Sequence, residues 1–195
     1  MSHPEIIDNL CLLATSAIVS PWCTATVESQ RLAIKADPTF DEQKDLNGGA
    51  AGLAAARSVA LLTYRNYEGY GRTQFEKDPD FLQASRACSY QQYQGQKLVN
   101  RFDAYSYYSL TRGVDTHNIG RCRGGVENAL KCITAKTLAI GIDSDILFPV
   151  SESRRIAKGV ANGALEIISS AFCHDGFFLE HVQISEAIKK HFDIF

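Results

Sequence analysis

Apolar residues are unevenly distributed along the chain, and their pattern predicts three buried strands. Residues 9–17, 137–142 and 164–171 form short, nearly continuous apolar runs. Runs of this length without polar alternation are typical of strands that are buried on both faces of a parallel sheet. The second and third runs are followed by residues 151–161 and 177–192, whose composition favours helices. Strands that alternate with helices in this way indicate an α/β sheet with crossover helices.

Residues 22–115, which lie between the first two predicted strands, have a different pattern. Apolar side chains recur there at helical spacing, most clearly within residues 53–67 and 96–113. The polar stretches between the helices, which predict loops, are residues 37–49 and 75–89. The pattern therefore predicts a mostly helical insertion within an α/β unit formed by residues 1–21 and 116–195.

The composition argues against several classes of function. A formal net charge of −2 lacks the basic excess of a nucleic-acid-binding protein. No run of about 18 apolar residues predicts a membrane span. The six cysteines form no C-x-x-C motif, and no cluster of histidine and cysteine has the spacing of zinc ligands. We therefore expect reduced thiols, a cytoplasmic location, no metal, no nucleic acid and no membrane.

Acidic side chains and a histidine follow the second and third predicted strands. Asp143 and Asp145 lie just after residues 137–142, and His174 lies just after residues 164–171. Open α/β sheets bind their ligands at the carboxyl ends of the strands. An acid followed along the chain by a histidine is also the order of the last two members of the α/β-hydrolase triad. The first member is missing, because no G-x-S-x-G nucleophile motif occurs in the sequence.

Each of these candidates has a purely structural alternative. Aspartates are common in turns and helix caps, and His174 can be an ordinary loop histidine. Asp145 is the better candidate for the triad acid than Asp143, because it lies nearer the turn at Pro149. Cys173 is adjacent to the histidine, but neighbouring side chains of an extended segment point in opposite directions, so we expect Cys173 to be structural.

Several stretches resemble the C-terminal part of the homoserine O-acetyltransferases, α/β-hydrolase-fold acyltransferases of methionine biosynthesis. The matching stretches, which occur in the family's order, lie at residues 9–17, 20–22, 30–38, 61–65, 101–107, 142–149 and 174–177. Two of them are Ile-Asp-Ser-Asp-Ile-Leu-Phe-Pro, which contains Asp145, and His-Asp-Gly-Phe, which begins with His174. The resemblance covers nearly the whole chain and implies a partial α/β-hydrolase fold with an inserted helical lid.

The resemblance also implies roles for individual residues. Asp145 and His174 correspond to the acid and the base of the triad. Asp175, directly after the histidine, corresponds to an aspartate that contacts the amino group of the substrate. In the family an arginine of the lid binds the homoserine carboxylate, and Arg65 is the candidate here. The family's lid, which corresponds to residues 22–115, also builds a homodimer, so we expect a homodimer through this block.

The activity that the resemblance implies is the transfer of acetyl from acetyl-CoA to the hydroxyl of L-homoserine. The mechanism is ping-pong through an acyl-serine, so acetyl-CoA is a co-substrate and no bound cofactor is implied. A homoserine O-succinyltransferase or a serine acyltransferase of the same family stays open as an alternative. A further alternative is a non-catalytic truncated product that associates through the lid.

The chain departs from the family's pattern in two places. Cys173 stands where the family usually has glycine, so we expect the loop beside the base to be altered. The nucleophile motif is absent, although in the family it shortly precedes the segment that aligns with His3. We therefore expect the sequence to begin after the nucleophile. We also expect the isolated chain to be inactive and, with open sheet edges, prone to associate.

Overall fold

The chain forms two compact units. The computed structural model describes residues 3–41, 48–81 and 85–194. The sheet unit comprises Met1–Ser20 and His117–Phe195, and the helical unit comprises Pro21–Thr116. The roles assigned to residues 22–115, a lid over the active site and a dimerisation insertion, stay predictions.

Three strands form one parallel sheet in the described part of the sheet unit. They are β1 (Asn9–Leu13), β2 (Lys136–Ile142) and β3 (Gly163–Ile168), in the spatial order β1-β2-β3. Both neighbouring pairs run parallel. The carboxyl ends of all three strands therefore meet at one edge of the sheet, where open α/β sheets bind their ligands.

Some helices pack against the sheet within the sheet unit, and others make up most of the helical unit. In chain order they are α1 (Pro21–Lys35), α2 (Ala50–Tyr64), α3 (Tyr67–Gln74), α4 (Ser85–Val99), α5 (Ala104–Asp115), α6 (Val126–Lys131), α7 (Val150–Gly159), α8 (Gly176–Leu179) and α9 (His181–Phe192). The first five belong to the helical unit and the last four to the sheet unit. Within the described residues, no helix is long and apolar enough to cross a membrane.

Strand β2 is the most deeply buried strand, which explains its uninterrupted apolar sequence. On one face its side chains Leu138, Ile140 and Ile142 pack in a cluster that includes Ile184 of α9. On the other face Ala139 packs in a second cluster, which includes residues of α6 and α7. A strand covered on both faces needs apolar side chains at every position, so the alternation of a half-buried strand is lost.

Strand β1 is shorter than the predicted span of residues 9–17. It ends at Leu13, because the next residue, Ala14, has a φ of 47°, in the left-handed region. An extended strand cannot continue through that conformation. The N–H of Ala14 still donates to the carbonyl of Ile140 of β2, at 3.1 Å, which fixes the end of the strand against the sheet.

The prediction of one helix over residues 96–113 is wrong. Two helices cover this region, since α4 ends at Val99 and α5 begins at Ala104. The carboxylate of Asp103 accepts the N–H of Ser106 at 2.7 Å, the bond by which an N-cap starts a new helix. The predicted loop at 75–89 is also too long, because residues 85–89 belong to α4.

The predicted closing helix, residues 177–192, is likewise interrupted. Glu180 has φ −89° and ψ 41°, outside the helical region, and separates α8 from α9. Of the other predicted loop, residues 37–49, positions 42–47 lie outside the described residues.

Asp37 connects the end of α1 to the beginning of α2. Its carboxylate accepts the N–H of Gly52 at 2.9 Å, and the hydroxyl and N–H of Thr39 at 2.7 and 2.9 Å. The N-cap residue of α2, Gly49, has no side chain to cap the helix, so Asp37 does so from the preceding segment. The hydrogen bond from the Thr39 hydroxyl, followed by those from the N–H groups of Gly52 and Thr39, lowers the pKa of Asp37 below its ordinary value.

Substitution Asp37→Asn is expected to lower the free energy of unfolding at pH 7 by about 1–2 kcal/mol, the usual cost of a lost charged cap. Because the folded-state pKa of Asp37 is depressed, its stabilisation is full above the unfolded-state value, about 3.9. It is lost as the pH falls through the folded-state pKa. Urea unfolding at pH 7 and at pH 3 measures both effects. Asp80→Asn, at an exposed position, is the control, and an equal loss for Asp37→Asn at both pH values would contradict the assignment.

Candidate active site

The structure brings Asp145 and His174 together at the carboxyl edge of the sheet. Asp145 lies in the turn after β2, and His174 lies in a short 3-10 turn after β3. Because β2 and β3 are parallel neighbours, the turns that follow them meet. Atom Nδ1 of His174 lies 2.8 Å from Oδ2 of Asp145. The two residues are therefore hydrogen-bonded, although 29 positions separate them along the chain.

The carboxylate of Asp145 is held in place by its own turn. Its Oδ1 accepts the backbone N–H groups of Leu147 and Phe148, at 2.8 and 2.9 Å. The side chain is completely buried. Both oxygens thus have fixed partners, and the rotamer that directs Oδ2 at the imidazole is determined by the backbone rather than by the histidine alone.

The arrangement fixes which nitrogen of His174 carries the proton. An ionised carboxylate only accepts hydrogen bonds, so Nδ1 is the donor toward Asp145. In the neutral ring the lone pair is then at Nε2, where a general base needs it. The rings of Phe148 and Phe177 lie 5.4 and 5.0 Å from the imidazole, centroid to centroid, and the His174 side chain is 13% exposed. This geometry can accept a proton at Nε2 while Asp145 stabilises the resulting imidazolium.

Asp143, the other acid considered from the sequence, binds the backbone of the next turn. Its Oδ1 accepts the N–H of Ser170 at 3.0 Å, and its Oδ2 accepts the hydroxyl of Ser169 at 2.9 Å. Asp143 is exposed, whereas Asp145 is buried. The geometry therefore favours Asp145 as the partner of the imidazole.

Cys173 has a backbone conformation that glycine adopts more readily than cysteine. Its φ is 56°, in the left-handed region, which glycine adopts without a steric penalty. The thiol is fully buried, and its sulfur accepts the N–H of Ile146 at 3.4 Å. Burial, with the negative charges of Asp145 and Asp175 as smaller causes, raises the pKa of the thiol. A neutral, buried thiol is a poor nucleophile, so these observations support a structural role.

The two predicted substrate-binding residues lie in different units. Asp175 is half-buried and directly follows His174 in the 3-10 turn. Arg65 is the C-cap residue of α2, and its guanidinium lies 5.3 Å from the centroid of the Tyr90 ring. Their roles stay predictions. In the described part of the chain, no group of three or more histidine, cysteine or acidic side chains could hold a metal ion.

Sequence reasoning missed the hydroxyl groups that surround the pair. The hydroxyl of Ser144 binds the backbone of the turn after β3, and the hydroxyl of Ser170 accepts the N–H of Phe172 within that turn. The only signal for Ser144 is its position between two aspartates, which does not reveal its partners. Its contacts become visible only when the parallel pairing of β2 and β3 is known.

Comparison with known proteins extends the match beyond these few residues. The homoserine O-acetyltransferase of Cyclobacterium marinum is 40% identical over 195 residues, a match that covers 98% of this chain. A crystal structure of homoserine O-acetyltransferase from Staphylococcus aureus is 28% identical, covers 96% of the chain and superposes with a TM-score of 0.75. Over almost its entire length the chain is similar to homoserine O-acetyltransferases. No protein-family model matches it.

The chain spans about half the length of these homoserine O-acetyltransferases. It covers 54% of the Cyclobacterium protein and 51% of the Staphylococcus chain. The α/β-hydrolase enzyme MGS-M2, at 16% identity and a TM-score of 0.66, shares the fold over 99% of this chain. The predicted fold class, a partial α/β-hydrolase fold, is therefore confirmed, and so is the resemblance to the homoserine O-acetyltransferase family.

Proposed function

We propose that this chain supplies the acid and the base of a homoserine O-acetyltransferase. The reaction transfers acetyl from acetyl-CoA to the hydroxyl of L-homoserine. The observation that carries the proposal is the hydrogen bond of 2.8 Å between His174 Nδ1 and Asp145 Oδ2, with the acid buried and oriented by its own turn. The similarity of almost the entire chain to homoserine O-acetyltransferases supports this reaction for the pair.

In the first half-reaction a serine attacks the thioester carbonyl. The sequence of this chain contains no G-x-S-x-G motif that would carry this serine. His174 takes the proton of the serine hydroxyl at Nε2 and then gives it to the departing sulfur of CoA. In the second half-reaction His174 takes the proton of the homoserine hydroxyl, whose oxygen attacks the acyl-serine. The proton returns to the serine as the ester is released. Asp145 stays ionised and holds the imidazole throughout.

The substrate is a zwitterion, and the proposed binding residues complement its charges. A carboxylate at Asp175, next to the base, suits the α-ammonium group of homoserine. A guanidinium suits its carboxylate, since arginine binds carboxylates through two parallel hydrogen bonds, and Arg65 is the proposed donor. No bound cofactor is needed in this scheme, because acetyl-CoA brings the acyl group as a co-substrate.

We also propose a homodimer formed through the helical unit and a cytoplasmic location. Large apolar side chains of this unit are exposed, among them Leu62 of α2 and Leu110 of α5, at 59% and 63%. The chain by itself is expected to be inactive in acyl transfer, because it carries no G-x-S-x-G motif.

The test uses the product of the complete reading frame that contains this chain. About 150 codons upstream of Met1, roughly the length of one further domain, are sequenced first. The purified product is then incubated with L-homoserine and either acetyl-CoA or succinyl-CoA, and the product mass is measured. We expect an in-frame G-x-S-x-G motif and O-acetylhomoserine as the main product.

Each other outcome selects a stated alternative. Preference for succinyl-CoA would identify the succinyltransferase, and acylation of serine would identify the serine acyltransferase. A stop codon, no nucleophile motif and no transfer would leave the non-catalytic product that associates through the helical unit. His174→Ala is the control for transfer that depends on this site.

A further inference from the structure

Three consecutive side chains of one turn hold the neighbouring turn in place. The first turn follows β2 and carries Asp143, Ser144 and Asp145; the second turn, residues 169–174, follows β3. Asp143 binds the beginning of the second turn, and Asp145 binds its last residue, His174. Ser144 lies between these two carboxylates and binds the middle of the second turn.

The hydroxyl of Ser144 makes two hydrogen bonds to the backbone of the second turn. It donates to the carbonyl oxygen of Ser170 at 2.5 Å and accepts the N–H of Cys173 at 3.0 Å. In a four-residue turn these are the two groups that a direct i to i+3 hydrogen bond would join. A hydroxyl from the turn of Asp145 thus bridges the backbone immediately before His174.

The residue that this hydroxyl holds is in a strained conformation. Cys173 has a φ of 56°, a left-handed conformation that is unfavourable for a residue other than glycine. Such a residue persists only where the surrounding contacts determine its conformation. Its N–H is bound by Ser144 and its sulfur by the N–H of Ile146. Because His174 follows directly, the direction of its side chain depends on these contacts.

We propose that Ser144 is a positioning residue for His174. Its hydroxyl fixes Cys173 in the left-handed conformation, and this places the imidazole where Nδ1 meets Asp145. The proposal rests on the proposed function in so far as His174 is a general base. Its test measures the imidazole itself and needs no acyl transfer.

Substitution Ser144→Ala leaves the carbonyl of Ser170 and the N–H of Cys173 without their bridging partner. The turn then relaxes, and the hydrogen bond from His174 to Asp145 opens more often. In proton NMR spectra of the full chain, the low-field Nδ1–H signal of His174 is expected to exchange with solvent at least about tenfold faster, the effect of losing one to two ordinary hydrogen bonds. A substitution that only lowered global stability would not single out this proton.

Two control variants test whether the effect comes from the loss of the Ser144 hydroxyl. Ser169→Ala removes a hydroxyl of the second turn that donates to Asp143 but not to the 170–173 backbone, so exchange of the His174 proton is expected to stay as in the unsubstituted chain. Ser144→Thr keeps the hydroxyl and is expected to restore slow exchange. Equal exchange in Ser144→Ala and in the unsubstituted chain would overturn the proposal.

If Ser144→Ala does not fold, a second measurement on the unsubstituted chain tests the proposal. In the unsubstituted chain the amide of Cys173 is expected to exchange slowly, because its N–H donates a hydrogen bond to the hydroxyl of Ser144. Exchange as fast as that of exposed amides would overturn the proposal without any variant. A selective effect of Ser144→Ala on the chain, together with no acyl transfer by the complete gene product, would refute only the proposed function. Active transfer with an unchanged His174 signal would refute only the role of Ser144.

Discussion

Asparagine in place of Asp145 is expected to lower the turnover of acyl transfer by about 10⁴-fold, the size of the effect that the same substitution has in the triad of a serine protease. The reason lies in the two N–H groups that bind Oδ1, from Leu147 and Phe148. They select the amide oxygen of the new side chain, so its NH₂ group faces His174. The imidazole must then accept at Nδ1 and carry its proton at Nε2, where the reaction needs a lone pair.

The measurement compares steady-state turnover of the complete gene product and of its Asp145→Asn variant with acetyl-CoA and homoserine. Asp143→Asn is the matched control, two positions away in the same turn. Asp143 is exposed and makes ordinary hydrogen bonds, so its loss is expected to cost at most about tenfold. Similar losses for both variants would contradict the assignment of the acid. Nitrogen chemical shifts of the His174 ring report the change of tautomer independently of activity.

Valine in place of Gly52 is expected to reduce the free energy of unfolding of the chain by about 3 kcal/mol or more, an effect at the upper end for overpacking. Gly52 lies in the first turn of α2, where this helix crosses α1. A Cβ atom there would lie 2.7 Å from the Cα of Ile34 and 2.8 Å from the carbonyl oxygen of Ala33. Both atoms belong to the backbone of α1, so they cannot move aside without separating the two helices.

A matched substitution in the same unit separates this contact from the helix propensity of valine. Gly71→Val places the same side chain in α3, where a Cβ atom would meet nothing within 4 Å. Since valine is no worse than glycine in a helix interior, stability is expected to change by less than about 0.5 kcal/mol. Urea unfolding followed by circular dichroism measures both variants. Equal effects of the two substitutions would show that close packing of α1 on α2 does not limit the size of the side chain at position 52.

Local sequence patterns predicted an element correctly where the environment of its residues is uniform along the element. The apolar run at 137–142 predicts β2 because a strand covered on both faces needs apolar side chains at every position. The α2 stripe is predictable for the corresponding reason, since Leu53, Ala56 and Ala60 all face the core of the helical unit. Such patterns failed at breaks, where one capping bond, as at Asp103, outweighs the periodicity of the neighbouring residues.

The sequence by itself determined the α/β class, the order of acid and histidine along the chain and the resemblance to the homoserine O-acetyltransferases. Tertiary structure showed that Asp145, which the sequence already favoured over Asp143, is hydrogen-bonded to His174, and it assigned Ser144 its partners. The physical reason is that these assignments depend on hydrogen bonds between segments 26 to 29 residues apart. Such bonds exist only because β2 and β3 pair in parallel and bring their following turns together. Apolar periodicity encodes which strands form, but the geometry of a polar site arises only when they pair.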